Sequence, residues 1–138
     1  MFMLRYMGLV ALTVFLNASP SLAGDLRTFL LSQIEAKEFP IHTFDADYRL
    51  YVWMEKQPSY WNLEDAEMMY EAARDTNLQV SNFEILARND SEHITSVYYQ
   101  YDWSAQIGNT NLDGTVVNHA LLRRAKGGWK TLYEASEQ

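Results

Sequence analysis

The last third of the chain, from Leu78 to Ser136, most constrains the fold. His93–Trp103 (HITSVYYQYDW) is the longest aromatic and β-branched run in the sequence, and such residues suit a pleated, half-buried strand. A similar segment precedes it, Val80–Ala87, and two follow, Thr115–Ala125 and Trp129–Ser136. The connections carry turn chemistry. Arg88–Ser91 reads as a hairpin turn, and Gln106–Gly114, with Gly108-Asn109 and Asp113-Gly114, reads as a longer loop. Lys126-Gly127-Gly128 separates the last two strands, and Gly127-Gly128 is a two-residue hairpin signal. Strands in succession with short connections make an antiparallel meander.

Helices precede this meander. Asp25 is placed to cap a helix from Leu26, with apolar residues at Leu26, Phe29, Leu30 and Ile34, and Pro40 ends the pattern. Tyr48–Met54 alternates at period two and reads as a strand, and Lys56–Ser59 as a turn. Asn62 and Asp65 form an approximate capping box for the next helix. That helix presents Ala66, Met69, Tyr70 and Ala73 on one face, with Met68 and Met69 as core filler. Asn77 suits a left-handed residue closing it.

The first residues read as an address. Gly8–Leu16 (GLVALTVFL) has the length of a signal-peptide core and is short of the ~20 residues that span a bilayer. Ser21-Leu22-Ala23 suits cleavage before Gly24, so residues 1–23 form the expected signal peptide and residues 24–138 a single domain. The product is expected in a periplasm or outside the cell, with no membrane attachment. The chain has no cysteine, which rules out disulfides, a lipid-anchored cysteine and thiol catalysis. Its formal net charge of −7 disfavours nucleic acid, which needs a basic footprint.

The order helix, strand, helix, then a meander of long strands ends on Gly127-Gly128-Trp129-Lys130-Thr131-Leu132-Tyr133-Glu134-Ala135-Ser136. This approximates a Gly-x-Trp-x6-Ser pattern, with the glycine one residue closer to the tryptophan. The whole resembles the nuclear transport factor 2-like superfamily, including its SnoaL-like and ketosteroid-isomerase-like members, over Asp25–Ser136. The resemblance implies an α+β fold in which helices pack on a curved antiparallel β-sheet and enclose a cone-shaped pocket. It also implies dimers through the sheet. The isomerase branch uses a tyrosine and two aspartates, and that set has no residue-by-residue match here, so the activity does not follow.

Several side chains are candidates for chemistry. Thr95, Val97, Tyr99, Tyr101 and Trp103 share the more apolar face of their strand, which points Tyr99 and Tyr101 inward as ligand-binding candidates. With Gly127-Gly128 as the hairpin loop, Leu121 faces Glu134 and His119 becomes a diagonal neighbour of Glu134. His119 and Glu134 are then a candidate acid–base pair, and His119 and Leu121 join the ligand-binding set. His42, Asp45 and Asp47 have no diagnostic metal spacing, so neither a metal nor another cofactor is expected. Large residues on both strand faces, Tyr98 and Leu122 against Tyr99 and Leu121, point to a homodimer through the sheet. The leading expectation is an exported, non-catalytic module for a small apolar or aromatic ligand. The alternatives are an acid–base isomerase or dehydratase, or a protein-interaction module with a vestigial pocket.

Overall fold

The computed structural model describes residues 25–54 and 57–137. The expected signal peptide and its cleavage site lie outside the described residues. Helix α1 covers residues 25–35. A 3-10 turn at Ile41–Thr43 leads into β1 (Phe44–Met54) and β2 (Gln57–Asn62). Helix α2 (Leu63–Ala72) then crosses to β3 (Gln79–Asp90), β4 (Ile94–Ile107), β5 (Thr110–Ala125) and β6 (Gly128–Glu137). The sheet has six strands in the order β2-β1-β6-β5-β4-β3. All pairs are antiparallel except β1 with β6, which is parallel. The sheet is therefore mixed, where an antiparallel one was expected, because β1 enters from the helical side beside the last strand.

Register shifts curve the sheet. They fall between Phe44 and Arg49 on β1, at two places on β3, and between Leu121 and Leu122 on β5. Bulges bend a strand and increase its twist. Asn82, at one shift on β3, has a φ of +54°. Helix α1 lies on the inner face, where Leu26 and Leu30 are buried against Val97, Tyr99, Ala120, Leu122 and Trp129. Burial of this kind stabilises a domain by roughly 25 cal/mol per Å² of apolar surface. Gln33 ties α1 to the sheet through the Thr131 hydroxyl at 3.0 Å and the Thr43 hydroxyl at 2.8 Å.

Four local readings change. Residues 88–90 belong to strand β3, and the hairpin turns at residues 91–93. Residues 57–59 belong to strand β2, not to a turn. Pro58 is tolerated because β2 is an edge strand, where no second neighbour needs its missing N–H. Strands β4 and β5 run deep into the expected 106–114 loop and turn only at Gly108-Asn109, with Ile107 opposite Thr110. Gly114 is a strand residue whose absent side chain makes room for Trp103, since a Cβ there would lie 3.1 Å from the indole ring. Met68 and Met69 are exposed, and α2 buries no residue completely. The capping box does form, with the Asp65 N–H donating to Asn62 Oδ1 at 2.9 Å and the Asn62 N–H to Asp65 Oδ2 at 3.0 Å. Asn77 is left-handed at φ +50°.

Candidate functional site

Glu134 of β6 lies opposite Ala120 of β5 and Leu50 of β1, on the inner face of the sheet. Its carboxyl group is enclosed by neighbours from three other strands. Tyr48 of β1 donates to Oε1 at 2.6 Å. Tyr99 of β4 and Asn118 of β5 donate to Oε2 at 3.2 and 2.7 Å. The Asn118 amide also donates to the Tyr99 hydroxyl at 2.6 Å. All these partners are uncharged, and among the described residues no basic side chain pairs with Glu134.

Burial sets the electrostatics. It pushes the Glu134 carboxyl above its ordinary range, against the three hydrogen bonds, which favour the ionised form. The tyrosines move the same way. Burial, then the Glu134 charge, holds the Tyr48 and Tyr99 phenols far above their ordinary value, and Tyr101 is pushed up to about 12 by the same two causes. At neutral pH these tyrosines are donors and never bases.

Beside this cluster the inner face has an open cavity of about 240 Å³, lined by Phe39, Phe44, Tyr48, Trp61, Tyr70 and Glu134 among others. The rings form a continuous row. Tyr70 meets Phe39 edge-on at 5.5 Å, Phe39 stacks on Phe44 at 5.0 Å, and Phe44 meets Tyr48 edge-on at 4.8 Å. Among the described residues two buried polar side-chain atoms have no hydrogen-bond partner, the Tyr70 hydroxyl and Asn118 Oδ1.

The expected pair of His119 and Glu134 does not form. The hairpin closes with Ala125 opposite Gly128, so Lys126-Gly127 is the loop. The register then shifts between Leu122–Thr131 and Leu121–Tyr133, leaving Leu132 unpaired. A one-residue slip exchanges the faces of a strand. Glu134 thereby turns inward with Asn118 and Ala120, while His119 and Leu121 turn outward. His119 stacks on Tyr98 at 4.2 Å and shares a hydrogen bond with Ser96 at 3.1 Å. An aromatic row crosses this outer face through Tyr60, Tyr51, Tyr133, His119 and Tyr98. A groove of about 560 Å³ lies along it, lined in part by Tyr51, Trp53, Tyr98 and His119.

The other candidates separate in the same way. Tyr99 and Tyr101 lie on the inner face with rings 6.3 Å apart, and Tyr99 reaches the cavity through Glu134. Asp45 accepts from Arg123 at 2.8 Å and from the Asp47 N–H at 3.0 Å, while His42 is exposed. No group of three or more metal-binding side chains occurs among the described residues. Tyr48 and Asn118 were missed from sequence. The signal for Asn118 was available, because it interrupts the apolar row Val116, Ala120, Leu122.

No protein-family model matches the sequence, and no curated protein matches it either. Solved structures do match. Aln2 from a Streptomyces species superposes with a TM-score of 0.69 at 16% identity, over 86% of this chain and 91% of that one. A ketosteroid isomerase-like protein from Erwinia carotovora atroseptica gives 0.64 at 14% identity, over 84% and 92%. An NTF-2 like protein of unknown function from Silicibacter pomeroyi gives 0.64 at 10% identity, over 86% and 96%. Identities this low carry architecture and not activity. The chain has the α+β nuclear transport factor 2-like fold, with two helices among the described residues packed on a curved, mixed six-stranded sheet.

Proposed function

We propose that this chain is an exported, non-catalytic module that binds a small ligand with an apolar or aromatic body in the cavity that Glu134 lines. One observation carries the reading: Glu134, whose carboxyl group is enclosed by uncharged donors, lines an aromatic-walled cavity. Ligand sites combine apolar walls with a few placed polar groups in this way. At about 240 Å³ the cavity lies just below the roughly 300–1,000 Å³ of drug-sized sites, so the occupant is small. The leader-like residues 1–23 support export. The exposed Tyr51, Trp53, Tyr60 and Tyr98 on the outer face support pairing of two copies there. Light scattering at micromolar concentration should then give the mass of a dimer.

One observation favours acid–base catalysis as the second reading. Burial raises the Glu134 carboxyl toward the range in which a general acid or base works near neutral pH. The other ionisable groups of the cluster are phenols held protonated, which favours binding over proton relay. Trp61 in the cavity wall gives a direct test. Its indole N–H resonance should move when p-cresol is added, and Met69→Trp, which fills the cavity, should abolish the response. A Trp61 signal indifferent to p-cresol and to other small apolar probes would overturn the binding reading. Turnover of such a probe would favour the catalytic one.

A further inference from the structure

We propose that the ligand of the inner cavity is a small organic ammonium ion, held by Glu134 and the aromatic walls. This rests on the binding reading above and names the chemistry of what is bound. Three observations converge on it. The first is charge. Glu134 opens into the cavity, and among the described residues no lysine or arginine lines it or pairs with the carboxylate. A buried carboxylate without a counter-ion is costly, and a cationic ligand supplies that counter-ion. The second is valence. A carboxylate offers about four lone-pair sites, and Tyr48, Tyr99 and Asn118 occupy three of them. One acceptor position is left for a ligand N–H, or for contact with a quaternary head.

The third observation is the wall. Phe39, Phe44, Tyr48, Trp61 and Tyr70 line the same space as Glu134. Aromatic faces carry negative potential and attract a cation, most strongly where water is excluded. An anion would meet the carboxylate and those faces alike, and both would repel it. A neutral apolar ligand fits the walls but leaves the carboxylate unbalanced. Among the described residues the Tyr70 hydroxyl lacks a hydrogen-bond partner, and Tyr70 lines the same cavity. The ammonium ions that fit best therefore carry one hydroxyl or carbonyl a short chain away from the charged head.

The test compares two probes of nearly the same shape. Choline carries a trimethylammonium head and a hydroxyl, and 3,3-dimethylbutan-1-ol replaces the charged nitrogen with carbon. Calorimetric titration of the chain at pH 8 should show choline binding about tenfold tighter than the alcohol. Glu134→Gln should remove most of that preference. The folded state should accept this change, because Asn118 Oδ1 lacks a partner and a turned amide can accept from the new Gln N–H. Trp61→Leu should reduce the preference several-fold through loss of a ring, without touching the carboxylate network. Equal affinity for the two probes, or a choline preference that survives Glu134→Gln, overturns the ammonium assignment and leaves the binding reading intact. Failure of choline, the alcohol and p-cresol together overturns both.

Discussion

His119 and Glu134 stand on adjacent strands and look out of opposite sides of one sheet. Both sides are rich in aromatic residues, yet they treat polar atoms differently. On the inner side, fixed donors surround a carboxyl group, and the phenols there are held protonated. On the outer side, Tyr98 is 46% exposed and His119 rests its ring on it. An enclosed polar group costs free energy unless every partner is present. An exposed aromatic row costs little by itself and marks a surface that favours covering. The inner face is therefore organised around one titratable group, and the outer face around area.

The largest expected effect tests that division at neighbouring residues. Leu122 is fully buried on the inner face and Leu121 lies on the outer one. Leu122→Ala should cost about 2–5 kcal/mol of unfolding free energy by urea denaturation, the usual range for a buried leucine. Leu121→Ala should cost under about 1 kcal/mol at concentrations that keep chains apart. Comparable losses at both positions would erase the distinction between the faces.

Next in size is a pH effect centred on Glu134. Burial places its folded-state pKa above its unfolded one. Between those values the folded chain binds the extra proton, so stability is full below the unfolded pKa and falls as pH rises through the folded pKa. Each unit of upward shift corresponds to about 1.4 kcal/mol. Relative to Glu134→Gln, the native chain should be no less stable below the unfolded pKa and should lose ground as pH rises to the folded pKa, with no further loss above it. Parallel thermal-midpoint curves for the two chains would show that burial is not setting the energetics of the carboxyl.

The outline of this fold was legible in the sequence, while the identity of the site was not. Alternation over 93–103 set the inward face correctly, since Thr95, Val97 and Tyr99 are all buried. The capping box at Asn62 and Asp65 was equally readable, because it depends on residues three apart. What alternation cannot carry is a break in itself. One unpaired residue, Leu132, exchanges the faces of everything after it on β6. It turned a plausible His119–Glu134 pair into two unrelated residues. The real partners, Tyr48 and Asn118, come from strands 86 and 16 residues away in sequence. Tyr48 arrives through the parallel β1–β6 pairing, which no hairpin announces. The cavity is also a tertiary product. It exists because α2 covers the aromatic row without burying a residue of its own.

That last feature sets the smallest expected effect. A helix with no buried residue draws little from packing, so its N-terminal cap carries a larger share of its stability. Asn62→Ala removes the side chain that accepts from the Asp65 N–H, and the reciprocal bond from Asp65 then loses its setting. The cost should be about 1 kcal/mol, and it should appear locally. Hydrogen exchange of the α2 amides should accelerate while the β4 and β5 amides stay protected, as separate cooperative units do. Helix α2 supplies Tyr70 and Met69 to the cavity wall and nothing to the outer row. Ligand affinity should therefore weaken a few-fold, whereas self-association measured by light scattering should not change. Faster exchange in β4 and β5 to the same extent would mean that roof and sheet open together, and the two faces would then share one stability.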